Sequence, residues 1–131
     1  MSDDNLEIVR RQFELWNEGD LDAAIAHYHP DVVMIAPEGW PEGPRTDGAD
    51  AWRRQAERLR DTWGRARVEI DELRAIGDER VVARIRYLTE GGDKAISFDT
   101  PMGAMFVIEA GRITRGEYSW SFDQALEAAE Q

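Results

Sequence analysis

The 131-residue chain contains no cysteine, which excludes disulfides, thiolate metal centres and a cysteine nucleophile, and fits a reducing intracellular compartment. It has only two histidines, His27 and His29. A metal site would therefore need mostly carboxylates, and no fitting ligand spacing appears, so neither metal nor cofactor is expected. No apolar run approaches a membrane span, and the acidic start Met-Ser-Asp-Asp-Asn is unlike the basic, then apolar, start of a signal peptide. The expectation is a soluble cytoplasmic protein with no membrane association. Lysine is nearly absent, Lys94 standing alone, and the 16 basic residues are scattered against 27 acidic ones for a formal charge of -11. That balance opposes binding to phosphate backbones, so no nucleic acid partner is expected. Gly91-Gly-Asp93 is no phosphate loop, no Gly-x-Gly-x-x-Gly leads from a strand into a helix, and no Gly-x-Ser-x-Gly elbow occurs. Without a linker or an internal repeat, residues 1–131 read as one domain.

What is present is a clear alternation of periods. Leu6, Val9, Phe13 and Trp16 recur at helical spacing, predicting a helix from about Asp4 to Asn17 that Gly19 ends. Asp20 caps a second helix, about Leu21 to His29, striped by Leu21, Ala24, Ile25 and Tyr28 and closed by Pro30. Val32 to Ala36 forms a strand, and Pro37 to Asp47 reads as a loop over a cavity mouth. Gly48-Ala-Asp50 introduces a third helix carrying Trp52, Ala56, Leu59 and Trp63.

Beyond Gly64 the pattern alternates, marking a sheet. Val68 and Ile70 alternate with Arg67, Glu69 and Asp71. From Arg80 to Thr89, Val81, Ala83, Ile85 and Tyr87 share one face, with Val82, Arg84, Arg86 and Leu88 on the other. Gly91-Gly-Asp93 signals a hairpin. The segment Ala95 to Glu109 reads as a strand interrupted near Pro101 and Gly103. A last strand, Arg112 to Phe122, places Thr114, Gly116, Tyr118, Trp120 and Phe122 on one face, and Asp123 caps a final helix, Gln124 to Glu130.

The hinged helix pair from Val9 to Asp31, continued by Pro37-Glu-Gly-Trp-Pro-Glu-Gly43 and closed by Gly111-Arg-Ile-Thr-Arg-Gly-Glu-Tyr118, resembles the SnoaL-like branch of the nuclear transport factor 2 superfamily. The resemblance spans nearly the whole chain. It implies an α+β cone, a strongly curved and mostly antiparallel sheet closed by N-terminal helices around an apolar pocket. It leaves function open, because the superfamily includes isomerases, cyclases, dehydratases, epoxide hydrolases and noncatalytic binding proteins. It also implies a homodimer through the outer sheet face, where Arg84, Arg86, Arg115 and Glu117 would pair across the contact beside Val82 and Leu88.

Aligned with ketosteroid isomerases of that superfamily, the chain has Ala36 at the catalytic base, Gln12 at the tyrosine donor and Gly103 at the protonated aspartic acid. All three functional groups are missing, so that chemistry fails. Limonene-type epoxide hydrolases set an arginine between two aspartates, but Arg84 and Arg86 fall on the strand face opposite the pocket. Asp99 remains as the candidate acid-base group, on the same face as Gly103 and Met105; buried among Trp16, Tyr87 and Trp120 it would have a raised pKa. Its other reading is a solvated aspartate paired with an arginine. Gln12, Trp16, Tyr28, Met34, Trp40, Trp52, Ile85, Tyr87, Met105, Tyr118 and Trp120 are candidate ligand-binding residues; the aromatics among them, with Trp63, either line the pocket or fill the core. Gly116 either leaves room for a ligand or serves a bend. His29 and Asp31 could form an acid-base pair, but a His-Pro-Asp turn that satisfies backbone groups accounts for them more simply. Two functions stay open: a cofactor-independent enzyme acting on a small apolar or aromatic molecule through Asp99, and a noncatalytic binding, sensing or dimeric interaction domain of the same fold.

Overall fold

The computed structural model describes residues 2–40, 43–91 and 98–130. Helix α1 (Ser2–Glu18) ends where Gly19, at φ 83°, turns into the left-handed region. There Gly19 N–H donates to Trp16 O and Asp20 N–H to Leu15 O, each at 3.0 Å, closing the helix as a six-to-one turn that a β-carbon would strain. Asp20 then caps α2 (Leu21–Ile25), its Oδ1 accepting from Ala23 N–H at 3.1 Å. This second helix is shorter than the apolar stripe predicts. Strand β1 (Tyr28–Ile35) starts before Pro30, so the proline sits inside a strand and does not end a helix. The register of β1 on its neighbour shifts between Tyr28 and Val33, and a residue without an N–H is tolerated at such an irregularity.

After β1 come β2 (Arg45–Asp47), α3 (Ala49–Trp63), β3 (Gly64–Ile76), β4 (Arg80–Gly91), β5 (Phe98–Glu109), β6 (Arg112–Ser119) and α4 (Phe122–Glu130). The strands form one curved sheet in the order β2-β1-β6-β5-β4-β3. Strands β1 and β6 run parallel and the other neighbours antiparallel. The fold is the α+β cone that the resemblance implies. Of the expected hairpin, Gly92 and Asp93 lie outside the described residues, as do residues 94–97 of the following segment and Pro41 and Glu42 of the mouth loop.

The alternation of β4 divides the interior as the sequence predicts. Val81, Ala83, Ile85 and Tyr87 join the main core with Val9, Phe13 and Phe106, while Val82 belongs to a second cluster with Met105, Phe122, Ala125 and Ala129. Helices α1 and α3 therefore pack on the concave side, and α4 on the opposite side of the same sheet. Each face of the sheet is buried somewhere, which single-face alternation does not convey.

Three local expectations are corrected. Strand β5 is not interrupted: Pro101 pairs with Arg86 and Gly103 with Arg84 in unbroken register. Its pairing with β6 begins at Gly103, so Pro101 stands where β5 has a neighbour on one side only. The last strand ends at Ser119, and Phe122 turns to the α4 side. Ser121, not Asp123, caps α4, its Oγ accepting from Gln124 N–H at 3.2 Å.

Candidate functional site

Where β1 ends, Ala36 and Pro37 enter a loop whose base is tied by Ala36 N–H donating to Pro44 O at 2.9 Å. Trp40 at its crest packs edge-on to Tyr87, ring centroids 5.9 Å apart, and tilted against Trp120 at 6.3 Å. Trp120, 44 % exposed, donates its indole N–H to Glu38 O at 2.8 Å and so fastens the loop to the end of β6. Beneath this cover lies a cavity of about 40 Å³ lined by Trp16, Trp40, Trp52, Tyr87 and Tyr118, with α3 and the ends of β1 and β5 completing the wall. Trp52 is stacked between Trp16 and Tyr118, at centroid distances of 6.4 and 6.1 Å. Aromatic faces thus form both the wall and the cover of a narrow slot.

Five of the eleven candidate ligand-binding residues line this cavity. Gln12, Tyr28, Met34 and Ile85 are buried in the core beneath it. Tyr28 donates its hydroxyl to Gln12 Oε1 at 2.7 Å. Met34 fills the space that Gly116 opens: a β-carbon there would lie 2.7 Å from Met34 Cε. Met105 faces α4, and Trp120 clamps the rim from outside. The wall also contains residues that were not among these candidates, namely Ala36, Pro37, Gln55, Ala56, Leu59, Val68 and Met102. Gln55 was within reach of pattern alone, since it follows Trp52 by three residues on the same helix face as Ala56 and Leu59. The Trp63 side chain lies outside the described set.

Asp99 does not face the pocket: of its two readings the solvated aspartate paired with an arginine holds, and the buried acid-base group is corrected. It does share a strand face with Gly103 and Met105, but that is the outer face, against which α4 packs farther along. Asp99 pairs bidentately with Arg86, Nε to Oδ1 at 3.0 Å and a second guanidinium N–H to Oδ2. Its side chain is 51 % exposed. Arg86 also reaches Glu69, and Arg84 reaches Glu72 and stacks over Phe122 with its guanidinium carbon 4.3 Å from the ring centroid. Val82 lies under α4 and is unavailable to the outer contact expected of it. Gly103 likewise points at α4, so the isomerase position aligned there is not a pocket position in this chain; its inward neighbours Met102 and Ala104 bring no carboxyl either. His29 accepts from Asp31 N–H through Nδ1 at 3.0 Å, so it satisfies a backbone group as expected, but inside strand β1 and not in a turn that ends a helix. Among the described residues no cluster of three or more His, Asp or Glu could hold a metal, and no helix is long and apolar enough to cross a membrane.

The ionisable groups in the described wall are Tyr87 and Tyr118. Burial pushes both phenols up, Tyr118 the further, with Tyr28 and Tyr87 adding to its shift. Tyr28 below is also raised by burial. The Trp52 indole beside it opposes that shift, yet Trp52 Nε1 has no partner at full hydrogen-bond geometry. At neutral pH the site thus offers uncharged O–H and N–H donors and no carboxylate or imidazole from any described residue.

The sequence profile of the SnoaL-like domain matches residues 9–116. No curated protein sequence matches the chain. Solved structures with this fold include a candidate SnoaL-like polyketide cyclase from Jannaschia sp., 18% identical, covering 90% of this chain and 85% of that one at a TM-score of 0.77. Another is TerC, co-crystallised with polyporic acid, 19% identical, with 98% and 99% covered and a TM-score of 0.80. An NTF2-like protein of unknown function from Burkholderia pseudomallei is 23% identical over 100% of both chains at a TM-score of 0.79. At these identities the likeness is one of fold.

Proposed function

Since the chain belongs to the SnoaL-like domain family, we propose that it holds a small, flat, apolar or aromatic molecule in the concave pocket, as a binding protein and not as a carboxylate acid-base catalyst. The observation carrying this reading is the make-up of the wall: aromatic rings, aliphatic side chains and neutral hydrogen-bond donors, with Asp99 outside it. Proton abstraction at neutral pH needs a base within hydrogen-bond reach of the substrate, and phenols raised by burial are protonated there. The cavity is smaller than an aromatic ring, so a ligand of that size has to displace part of the wall or of the Trp40 cover.

The test is thermal denaturation with a panel of planar apolar compounds, followed by recovery and analysis of each compound. A ligand at about 100 times its Kd stabilises by about 2.7 kcal/mol, which for a domain of this size is on the order of 10 °C. Stabilisation with the ligand recovered unchanged is the expected result; a transformed product would replace the binding reading with an enzymatic one. Asp99→Asn is expected to leave the Kd of any such ligand unchanged, because Asp99 touches Arg86 on the outer face; a severalfold loss of affinity by titration calorimetry would return Asp99 to the site.

A second reading draws on the same wall. Tyr87 and Tyr118, held protonated, could donate to a carbonyl oxygen as negative charge develops on it, a use of the pocket in keeping with the cyclase assignment of the Jannaschia relative. Turnover by the wild-type protein that falls in Tyr118→Phe but not in Asp99→Asn would establish it.

A further inference from the structure

Two polar atoms are buried in this apolar wall without a partner. Gln55, 3 % exposed, donates Nε2 to Thr46 Oγ1 at 2.8 Å, which leaves its Oε1 unbonded. Trp52 Nε1 is unbonded as well. Such groups are nearly always satisfied in folded proteins, and each one left unpaired carries a penalty that a suitable occupant would remove. The two residues stand three apart on α3, hence on one side of the helix, and both belong to the wall of the same cavity. Their roles are opposite, since a carboxamide oxygen only accepts and an indole N–H only donates.

A neutral hydroxyl answers both needs at once, donating to Gln55 Oε1 and accepting from Trp52 N–H. A carbonyl answers only Trp52, and a methyl group answers neither. A charged group would meet no counter-charge in the described wall. Resting on the binding reading above, we infer that the pocket selects a planar apolar molecule bearing a neutral hydroxyl, and that Gln55, which takes the hydroxyl's proton, is the residue that distinguishes it from a carbonyl.

The matched probes are 2-naphthol, 2-methylnaphthalene and 2-naphthaldehyde, titrated by NMR against the wild-type chain, Gln55→Met and Thr46→Val. The wild-type chain is expected to bind 2-naphthol roughly tenfold to a hundredfold more tightly than 2-methylnaphthalene, and more tightly than the aldehyde. Gln55→Met should bring 2-naphthol down to the affinity of 2-naphthaldehyde, each then answering only Trp52, while continued binding of 2-methylnaphthalene shows that the pocket is intact. Thr46→Val removes the partner of Nε2 but keeps Oε1, and should retain the preference. Should Gln55→Met close the pocket to both probes, Gln55→Ala is read in its place. Equal wild-type affinities for 2-naphthol and 2-methylnaphthalene would overturn the inference alone, as when a resident water already serves both atoms. A preference of 2-naphthol over 2-naphthaldehyde that survives at position 55 without the amide, or tighter binding of the aldehyde by the wild-type chain, would also overturn it. Binding of no probe by the wild-type chain would overturn the pocket reading and this inference together.

Discussion

Gly103→Ala is expected to unseat α4 and lower stability by about 3 kcal/mol, the upper end of what overpacking costs. Strand β5 passes so close beneath the start of the helix that a β-carbon at 103 would sit 2.3 Å from Ser121 O and 2.9 Å from both Phe122 Cα and Ala125 Cβ. Two of these are backbone atoms and the third is the first atom of a side chain, so rotamer changes give no relief. The helix must lift, and its lifting opens the cluster of Val82, Met105, Phe122, Ala125 and Ala129. It also strains the bond from Arg80 Nη1 to Ala129 O, 2.6 Å in the intact fold. Gly116→Ala is the informative contrast. There the new carbon meets the Sδ and Cε of Met34, at 2.9 and 2.7 Å, the mobile end of a side chain that can turn aside, so a loss of about 1 kcal/mol is expected. Chemical denaturation of both variants checks the ranking. Hydrogen exchange should show α4 exposed in Gly103→Ala, with the concave pocket unaffected. If the two variants cost the same, close docking of α4 does not explain the glycine.

The same contact shows where the sequence was legible and where it was not. Alternation placed Asp99, Gly103 and Met105 on one face of β5 correctly, because a period of two is a backbone property. It did not say which face looks into the cone. That choice depends on what covers the other side, and the cover is α4, whose stripe of Phe122, Ala125 and Ala129 is short and rich in alanine. Read as a helix finishing the chain, it gave no sign that part of the sheet's outer face is core. Asp99 was therefore assigned to the pocket with the rest of its face, although a bidentate Arg86 waits on the neighbouring strand, displaced diagonally as cross-strand partners often are. The hinge at Gly19 and Asp20 was legible for the opposite reason, since its hydrogen bonds join residues only a few positions apart. The pocket was half legible. Trp16, Trp52, Tyr87 and Tyr118 announce themselves by size, whereas Gln55 is polar in an apolar stripe, and its importance appears only once burial shows its oxygen to be unpartnered.

All three tyrosines of the chain are raised above their ordinary pKa by burial on the concave side, which predicts a steep loss of stability in alkali. Below pH 10 the phenols are protonated in both the folded and the unfolded chain and contribute no pH dependence. Above it the unfolded chain, whose phenols titrate near 10.0, gives up protons that the folded chain still holds, so stability falls as pH rises toward the folded-state values. Each tyrosine in that window contributes a slope of up to about 1.4 kcal/mol per pH unit, and the three together up to about 4. Marginal stabilities are exhausted within a few pH units at such a slope. Denaturant unfolding between pH 9 and 12 should follow this decline, and phenolate absorbance should rise together with the loss of far-UV circular dichroism. Tyr118→Phe should reduce the slope by about a third without orphaning a hydrogen-bond partner, whereas Tyr28→Phe would also strand Gln12 Oε1 and confuse stability with titration. Phenolate absorbance that rises near pH 10 while the fold stays intact would show that the tyrosines reach water freely. The neutral donors on which the pocket's chemistry depends would then be ordinary surface phenols.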